Sequence, residues 1–194
     1  MKRWLALLLL LPMTACGYNR IQSLDEAAAS AQSQIEVQLQ RRADLIPNLV
    51  NTVKGYARHE QDVLTQVTQA RAGLVGAIQS HDAEQMANAN AQLSSTLGRL
   101  MVTVEAYPNL KADQSFIRLQ DELTGTENRI AVSRNDYNQA VNAYNAYIRQ
   151  FPVVVTAKVT GAKARKYFTA TNAAESGPPT VDFSKPPAPA TKSP

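Results

Sequence analysis

The sequence predicts an all-α protein, an elongated antiparallel up-and-down four-helix bundle with long helices and an extended, disordered C-terminal tail. Three observations predict it. Between residues 23 and 150 proline occurs only at 47 and 108, the composition is rich in Ala, Gln, Leu and Asn, and no strand-like alternation persists. Phe116, Leu119, Leu123, Thr126, Ile130, Ser133, Tyr137, Ala140, Tyr144, Tyr147 and Phe151 alternate spacings of three and four, a seam that would run about 50 Å at 1.5 Å per residue and needs partner helices along that length. From Gly177 on, six of the ten prolines fall in eighteen residues, a composition that cannot bury a core.

The chain opens with Lys2 and Arg3, an apolar run over 4–11, and Met13-Thr14-Ala15 before Cys16-Gly17. Charge, a short apolar stretch and small residues in that order describe an export signal. The run is shorter than the ~20 apolar residues a bilayer span needs. The cysteine after a small-residue pair resembles a lipobox, so residues 1–15 are expected to be a cleaved lipoprotein signal peptide, with Cys16 the lipidated first residue of the mature chain and 16–22 a short linker. Two or more acyl chains hold a protein on a membrane stably where one does not. Gly17, in place of Asp, resembles the pattern that disfavours inner-membrane retention. In a Gram-negative cell this favours the periplasmic face of the outer membrane.

The helices follow over 23–151. Ser23 with Glu26 makes a capping-box start, and Leu24, Ala28, Ala31, Ile35 and Leu39 carry a first helix to about Ala43. Pro47 disfavours helical dihedrals at Ile46 and suits a first helical turn. A turn is therefore expected over 44–47, with a second helix from Pro47. The competing readings are a kink at Pro47 within one long helix and a break near Gly55. Asp82 and Gln85 mark the next start, with His81-Asp82 as a turn. The third helix stops at Tyr107-Pro108, and the fourth is the seam described above. Five glycines (55, 73, 76, 98, 125) lie in or beside helices, each costing about 1 kcal/mol against Ala if interior. Residues 152–183 are expected to pack loosely, and 184–194 to form the Pro-rich tail.

Charge and cysteine count exclude several functions. The net charge is +4, yet the body over 17–149 holds 12 basic and 14 acidic residues, so no nucleic-acid partner is expected. One cysteine allows no intrachain disulfide. A di-iron bundle needs Glu-x-x-His pairs, but Tyr56 and Ile78 stand three residues before the two histidines, His59 and His81. His59-Glu60 is followed by Val63, so a zinc-protease helix is excluded. There is no phosphate-cradling Gly-rich loop and no Gly-x-Ser-x-Gly elbow. No catalytic residue, metal or cofactor is expected, and the protein is read as no enzyme.

Polar residues flank the seams: Arg42, Asp44 and Asn48; Glu60; Glu105 and Tyr107; Glu127, Asn128, Arg134, Tyr137, Asn138 and Asn145. They fall in the stretches RADLIPNLV at 42–50, VKGYARHE at 53–60, VEAYPNLK at 104–111, ENRIA at 127–131 and RNDYN at 134–138 with Tyr144-Asn145, and PPTVDF closes the series at 178–183. In these motifs, in this order, the chain resembles the LemA family. The resemblance implies a membrane-attached four-helix bundle and no assigned chemistry. It also implies an uncleaved helical anchor in many members, where this chain carries a lipobox-like cysteine. The twelve polar residues are read as a structural network that fixes helix register, with Arg42 and Arg134 bonding the glutamates. The expected function is a membrane-tethered, non-catalytic scaffold or interaction module for another envelope protein. The alternative is a binder of lipid or a small apolar ligand in the bundle core. The last helix can pair between chains as well as within one, so homo-oligomerisation stays open.

Overall fold

A computed structural model describes residues 2–57 and 59–170, with side chains from Gly17 onward. The chain forms α1 (Lys2–Tyr56), α2 (Gln61–Gln79), α3 (Ala83–Val104), the single turn α4 (Pro108–Lys111), α5 (Gln114–Tyr147) and α6 (Val153–Thr160), with no strand among the described residues. The four long helices, α1, α2, α3 and α5, make the expected all-α bundle. None of the described helices is long and apolar enough to cross a membrane.

The spine is α1. Its buried positions Ile21, Ala28, Ile35, Arg42 and Leu49 fall seven residues apart, the repeat that keeps one face toward a partner helix. Antiparallel α5 answers with Phe116, Leu123, Ile130, Tyr137 and Tyr144, also seven apart and all buried. From Gly17 to Tyr56 the spine is about 60 Å long at 1.5 Å per residue. The α2–α3 hairpin covers only its far half. The hairpin turn at His81 (φ 53) lies beside Gln32, whose Nε2 donates to the His81 carbonyl at 2.8 Å, and beside Glu36, 3.0 Å from the His81 ring.

The structure corrects the expected turn at 44–47. α1 runs unbroken through Pro47 and ends at Tyr56, so the first break lies over 57–60. Pro47 has no N–H to offer the Ala43 carbonyl four residues back. Arg71 of α2 supplies the missing donor, with Nε 2.9 Å from that buried oxygen. A long-range bond replaces the local one, and the helix continues. The cap expected at Asp82 is present, accepting from the N–H groups of Glu84 and Gln85; Asp113, with no such expectation, caps α5 in the same way, accepting from Ser115 and Phe116.

The near half of the spine is completed by the C-terminal segment. Gly17 and Ile21 are already helical and buried there, within the span 16–22 expected as a linker. A methyl group placed on Gly17 would meet Val153 at 3.7 Å and Thr156 at 4.0 Å, so α6 packs directly over it. Ile21, Tyr144, Ile148, Val153 and Ala157 form a small second core. α6 ends in a left-handed residue, Gly161 (φ 73), with Ala162 N–H donating to the Ala157 carbonyl at 2.9 Å. Phe151, expected as the last seam residue, is 85% exposed, because α5 stops at Tyr147 and the chain turns at Pro152.

Candidate functional site: the buried arginine centre and its flanks

Arg42 stands at a core register position between Ile35 and Leu49 and is 5% exposed. Its Nη1 donates to Asn90 Oδ1 of α3 at 2.6 Å and pairs with the Glu127 carboxylate of α5. One guanidinium thus ties together three helices. Burial lowers the Arg42 pKa, and the Glu127 charge opposes that shift. Arg42 Nε has no acceptor among the described residues. The centre opens on a groove of about 460 Å³ between α3 and α5, walled by Leu97, Met101 and Leu123, with Arg42 and Glu127 at its base. α3 and α5 make few close approaches of their own.

A second group holds the C-terminal segment. Asn145 Oδ1 accepts from the Arg165 N–H and its Nδ2 donates to the Arg165 carbonyl, both at 2.9 Å. One heptad earlier, Asn138 treats Phe168 the same way, at 2.9 Å to the N–H and 3.4 Å to the carbonyl. Tyr137 Oη donates to the Lys166 carbonyl at 2.8 Å, and burial raises the Tyr137 pKa. Two asparagines thus act as surrogate backbone for a strap over 162–170. Arg165 pairs with Asp25 at 2.7 Å, and Lys166 with Asp82 at 3.0 Å and Glu84 at 3.3 Å. Phe168 enters the main core. The segment expected to pack loosely is, over 162–170, bonded along its length.

A third group lies at the end of the spine remote from residue 16. Tyr107 Oη donates to Glu60 at 2.9 Å, and Tyr56 Oη to Asp113 at 2.9 Å. These bonds raise the pKa of both tyrosines. They draw the loops at 57–60 and 105–113 together, and so bring VKGYARHE beside VEAYPNLK.

The other expected members stand apart. Asp44 only accepts from Gln40 one turn earlier, Asn48 and Asn128 are exposed, and Glu105 pairs at the surface with Lys111 at 2.6 Å. Arg134 is exposed and enters none of the ion pairs among the described residues. It lies a heptad past Glu127, on the flank where α5 stands apart from α3, so it corrects the expected glutamate partnership. The side chain of Cys16 and the PPTVDF motif at 178–183 lie outside the described residues. The sequence reading missed Asn90, Arg71, Asp25 and Asp113. Asn90 had a signal: it repeats at seven with Ala83, Leu97 and Val104, all buried.

No group of three or more metal-ligating side chains occurs among the described residues. A hollow of about 1040 Å³ between α2 and α3 is an open groove walled by Gln, Asn, Ala and Gly, including Gln66, Gly73, Gly76 and Gln92.

The model of the LemA family matches residues 31–183, most of the chain. The protein belongs to the LemA family. Its relatives include two magnetosome proteins, MamQ 1 and MamQ 2, of Paramagnetospirillum magneticum and the magnetosome protein MamQ of Magnetospirillum gryphiswaldense, each 29% identical over 174 residues, which is 78% of this chain and 64% of theirs. Protein LemA of Metamycoplasma hominis is 26% identical over 133 residues, covering 69% of this chain and 60% of that one. The chain therefore spans less than two thirds of the length of these relatives. The matched region of this LemA protein includes the arginine centre, the strap and the remote loops.

Proposed function

We propose that this LemA protein is a non-catalytic, lipid-anchored scaffold of the bacterial envelope that presents its remote loops to another envelope protein. One observation carries the reading: a single unbroken helix joins the residue after Cys16 to the paired motif loops about 60 Å away. Acylation of Cys16 attaches the near end to the membrane, and Gly17 directs the protein to the periplasmic face of the outer membrane. With no linker between anchor and bundle, the tether fixes the distance at which the tip meets a partner.

Three experiments test it. Cells fed an alkyne fatty acid should label the wild type and not Cys16→Ser, and sucrose-gradient fractionation should place the wild type with the outer membrane. A photo-crosslinking residue at Asn109, exposed at the tip, should yield a discrete heteromeric adduct in cells, while the same residue at Val132 on α5 should not. No Asn109 adduct, with fatty-acid labelling intact, rejects the scaffold role.

The α3–α5 groove favours a second reading. Leu97, Met101 and Leu123 offer an apolar wall, and the Arg42 guanidinium, whose buried Nε lacks an acceptor among the described residues, lies at its edge. An acidic amphiphile fits that chemistry. Native mass spectrometry should then show a co-purifying lipid-sized mass that Arg42→Met loses.

A further inference from the structure

α6 carries an apolar face that no other part of the described protein covers. Its sequence, VVVTAKVT, holds one charge. Val153 and Ala157, one turn apart, are buried against α1 and α5. On the opposite side Val155 and Val159, also one turn apart, are 56% and 83% exposed, and Phe151 stands just ahead of them at 85%. Packing inside the protein explains the first pair and leaves the second unexplained.

The surroundings name an occupant. α6 lies over Gly17, the residue after Cys16, so any bilayer that holds acyl chains on Cys16 lies beside it. From 137 to 174 the chain has no acidic residue and five basic ones. Arg165 and Lys166 are committed to Asp25, Asp82 and Glu84, whereas Arg149, Lys158 and Lys163 enter none of the ion pairs among the described residues. Their charge complements anionic headgroups. Tyr18 adds an exposed ring next to Gly17, of the kind enriched at membrane–water interfaces. Three apolar side chains are too few for a stable dimer, which needs about 800 Å² per partner. They suffice for a surface already held by acyl chains, where a weak second contact acts intramolecularly.

We propose that the Phe151, Val155 and Val159 face inserts into the interfacial layer of the membrane, with Arg149, Lys158 and Lys163 on anionic headgroups. The contact rests on the anchor reading and adds to it: the lipid on Cys16 holds the protein, and α6 sets its tilt.

The test uses the full mature protein, purified from membranes and reconstituted in vesicles of phosphatidylethanolamine and phosphatidylglycerol. Val155→Cys and Val159→Cys are labelled with an environment-sensitive fluorophore, with Val102→Cys, 75% exposed on α3, as the control. Lipids bearing a quencher near the headgroup should quench the α6 labels at least threefold more than the Val102 label. Equal quenching overturns the proposal, as does a disulfide-linked dimer formed efficiently through position 159, which would assign the face to a second copy. Melting curves equal to wild type show that the variants are folded. Protein without an introduced cysteine reads the anchor separately, because an acylated Cys16 takes no label. Label uptake there with α6 still quenched removes the anchor and keeps the docking face; an unlabelled Cys16 with α6 unquenched does the reverse.

Discussion

Replacing Arg71 with Met should destabilise the bundle only while residue 47 is proline. In the wild type the Ala43 carbonyl is buried, Pro47 cannot bond it, and Arg71 Nε does so at 2.9 Å. Arg71→Met keeps the aliphatic stem and removes the donor. A buried carbonyl left unbonded costs about 1–3 kcal/mol. At about 2–4 °C per kcal/mol for a protein of this size, the melting temperature should fall by about 4–8 °C for a mid-range loss. Pro47→Ala restores an N–H four residues after Ala43, so the carbonyl regains its local partner. In that background Arg71→Met should fall within the ~0.5 kcal/mol of an ordinary surface change. The coupling between the two positions is therefore about 1.5–2 kcal/mol. Pro47→Ala alone should stabilise, because an interior helix proline costs about 3 kcal/mol, of which Arg71 recovers part. Thermal and urea melts by far-UV circular dichroism on the four proteins of the cycle measure this directly. Equal losses for Arg71→Met in both backgrounds would refute the substitute-donor account.

Four further outcomes are expected. Asn145→Ala should speed amide hydrogen exchange at Arg165 and across 162–170 by at least tenfold, as one lost ~1.4 kcal/mol of protection implies, and leave α2 and α3 unchanged. Glu127→Gln should cost more than Arg42→Met in urea melts, since the first leaves a buried guanidinium without its counter-charge and the second leaves a half-exposed carboxylate. Arg134→Ala should stay within about 0.5 kcal/mol of wild type, as an exposed and unpaired residue. The Lys166 bond and the α3 N–H groups hold the Asp82 pKa below its ordinary value, as the Phe116 N–H and Tyr56 do for Asp113. Their stabilisation is therefore complete above the ordinary aspartate value of about 3.9 and is lost as pH falls through the lower folded values. The melting temperature should drop across that acid range, and drop less in the Asp82→Asn/Asp113→Asn protein, which keeps the caps and removes the titration.

What the sequence showed and what it hid divide along a physical line. Seams of apolar residues were legible, because burial on a helix repeats at three and four, and so were the Asp82 cap and the His81 turn. The path through Pro47 was not, because its remedy sits 28 residues away on another helix. The break at 57–60 was legible only as the weakness at Gly55, since the loop itself holds no strong breaker. The strap was hidden for a different reason: Asn138 and Asn145 bond main-chain groups of Phe168 and Arg165, and main-chain groups leave no residue-type signature in the strap. Arg42 was noticed as polar, but its place in the Ile21–Leu49 repeat was the stronger sign that it is buried. Arg134 offered the same residue type without that register, and it is exposed.

The two halves of the spine are held by different means. The far half has four helices around an apolar core, and the near half has α1, α5 and α6 around five buried side chains, with a strap fixed by hydrogen bonds and ion pairs whose Phe168 enters the main core. A small core with surface-accessible bonds opens at lower free energy than the whole fold, so the near half is the weaker one. It is also the half beside Cys16. A lipid surface that takes up Val155 and Val159 does not compete with the core, because Val153 and Ala157 use the other side of the same helix. On the proposed docking, lipid contact is compatible with the closed form of α6, and by linkage it stabilises that form to the extent that it binds it more tightly than the opened one. If α6 docks as proposed, the weak end of the bundle is the end that membrane attachment strengthens, and the remote loops stay on the half with the larger core.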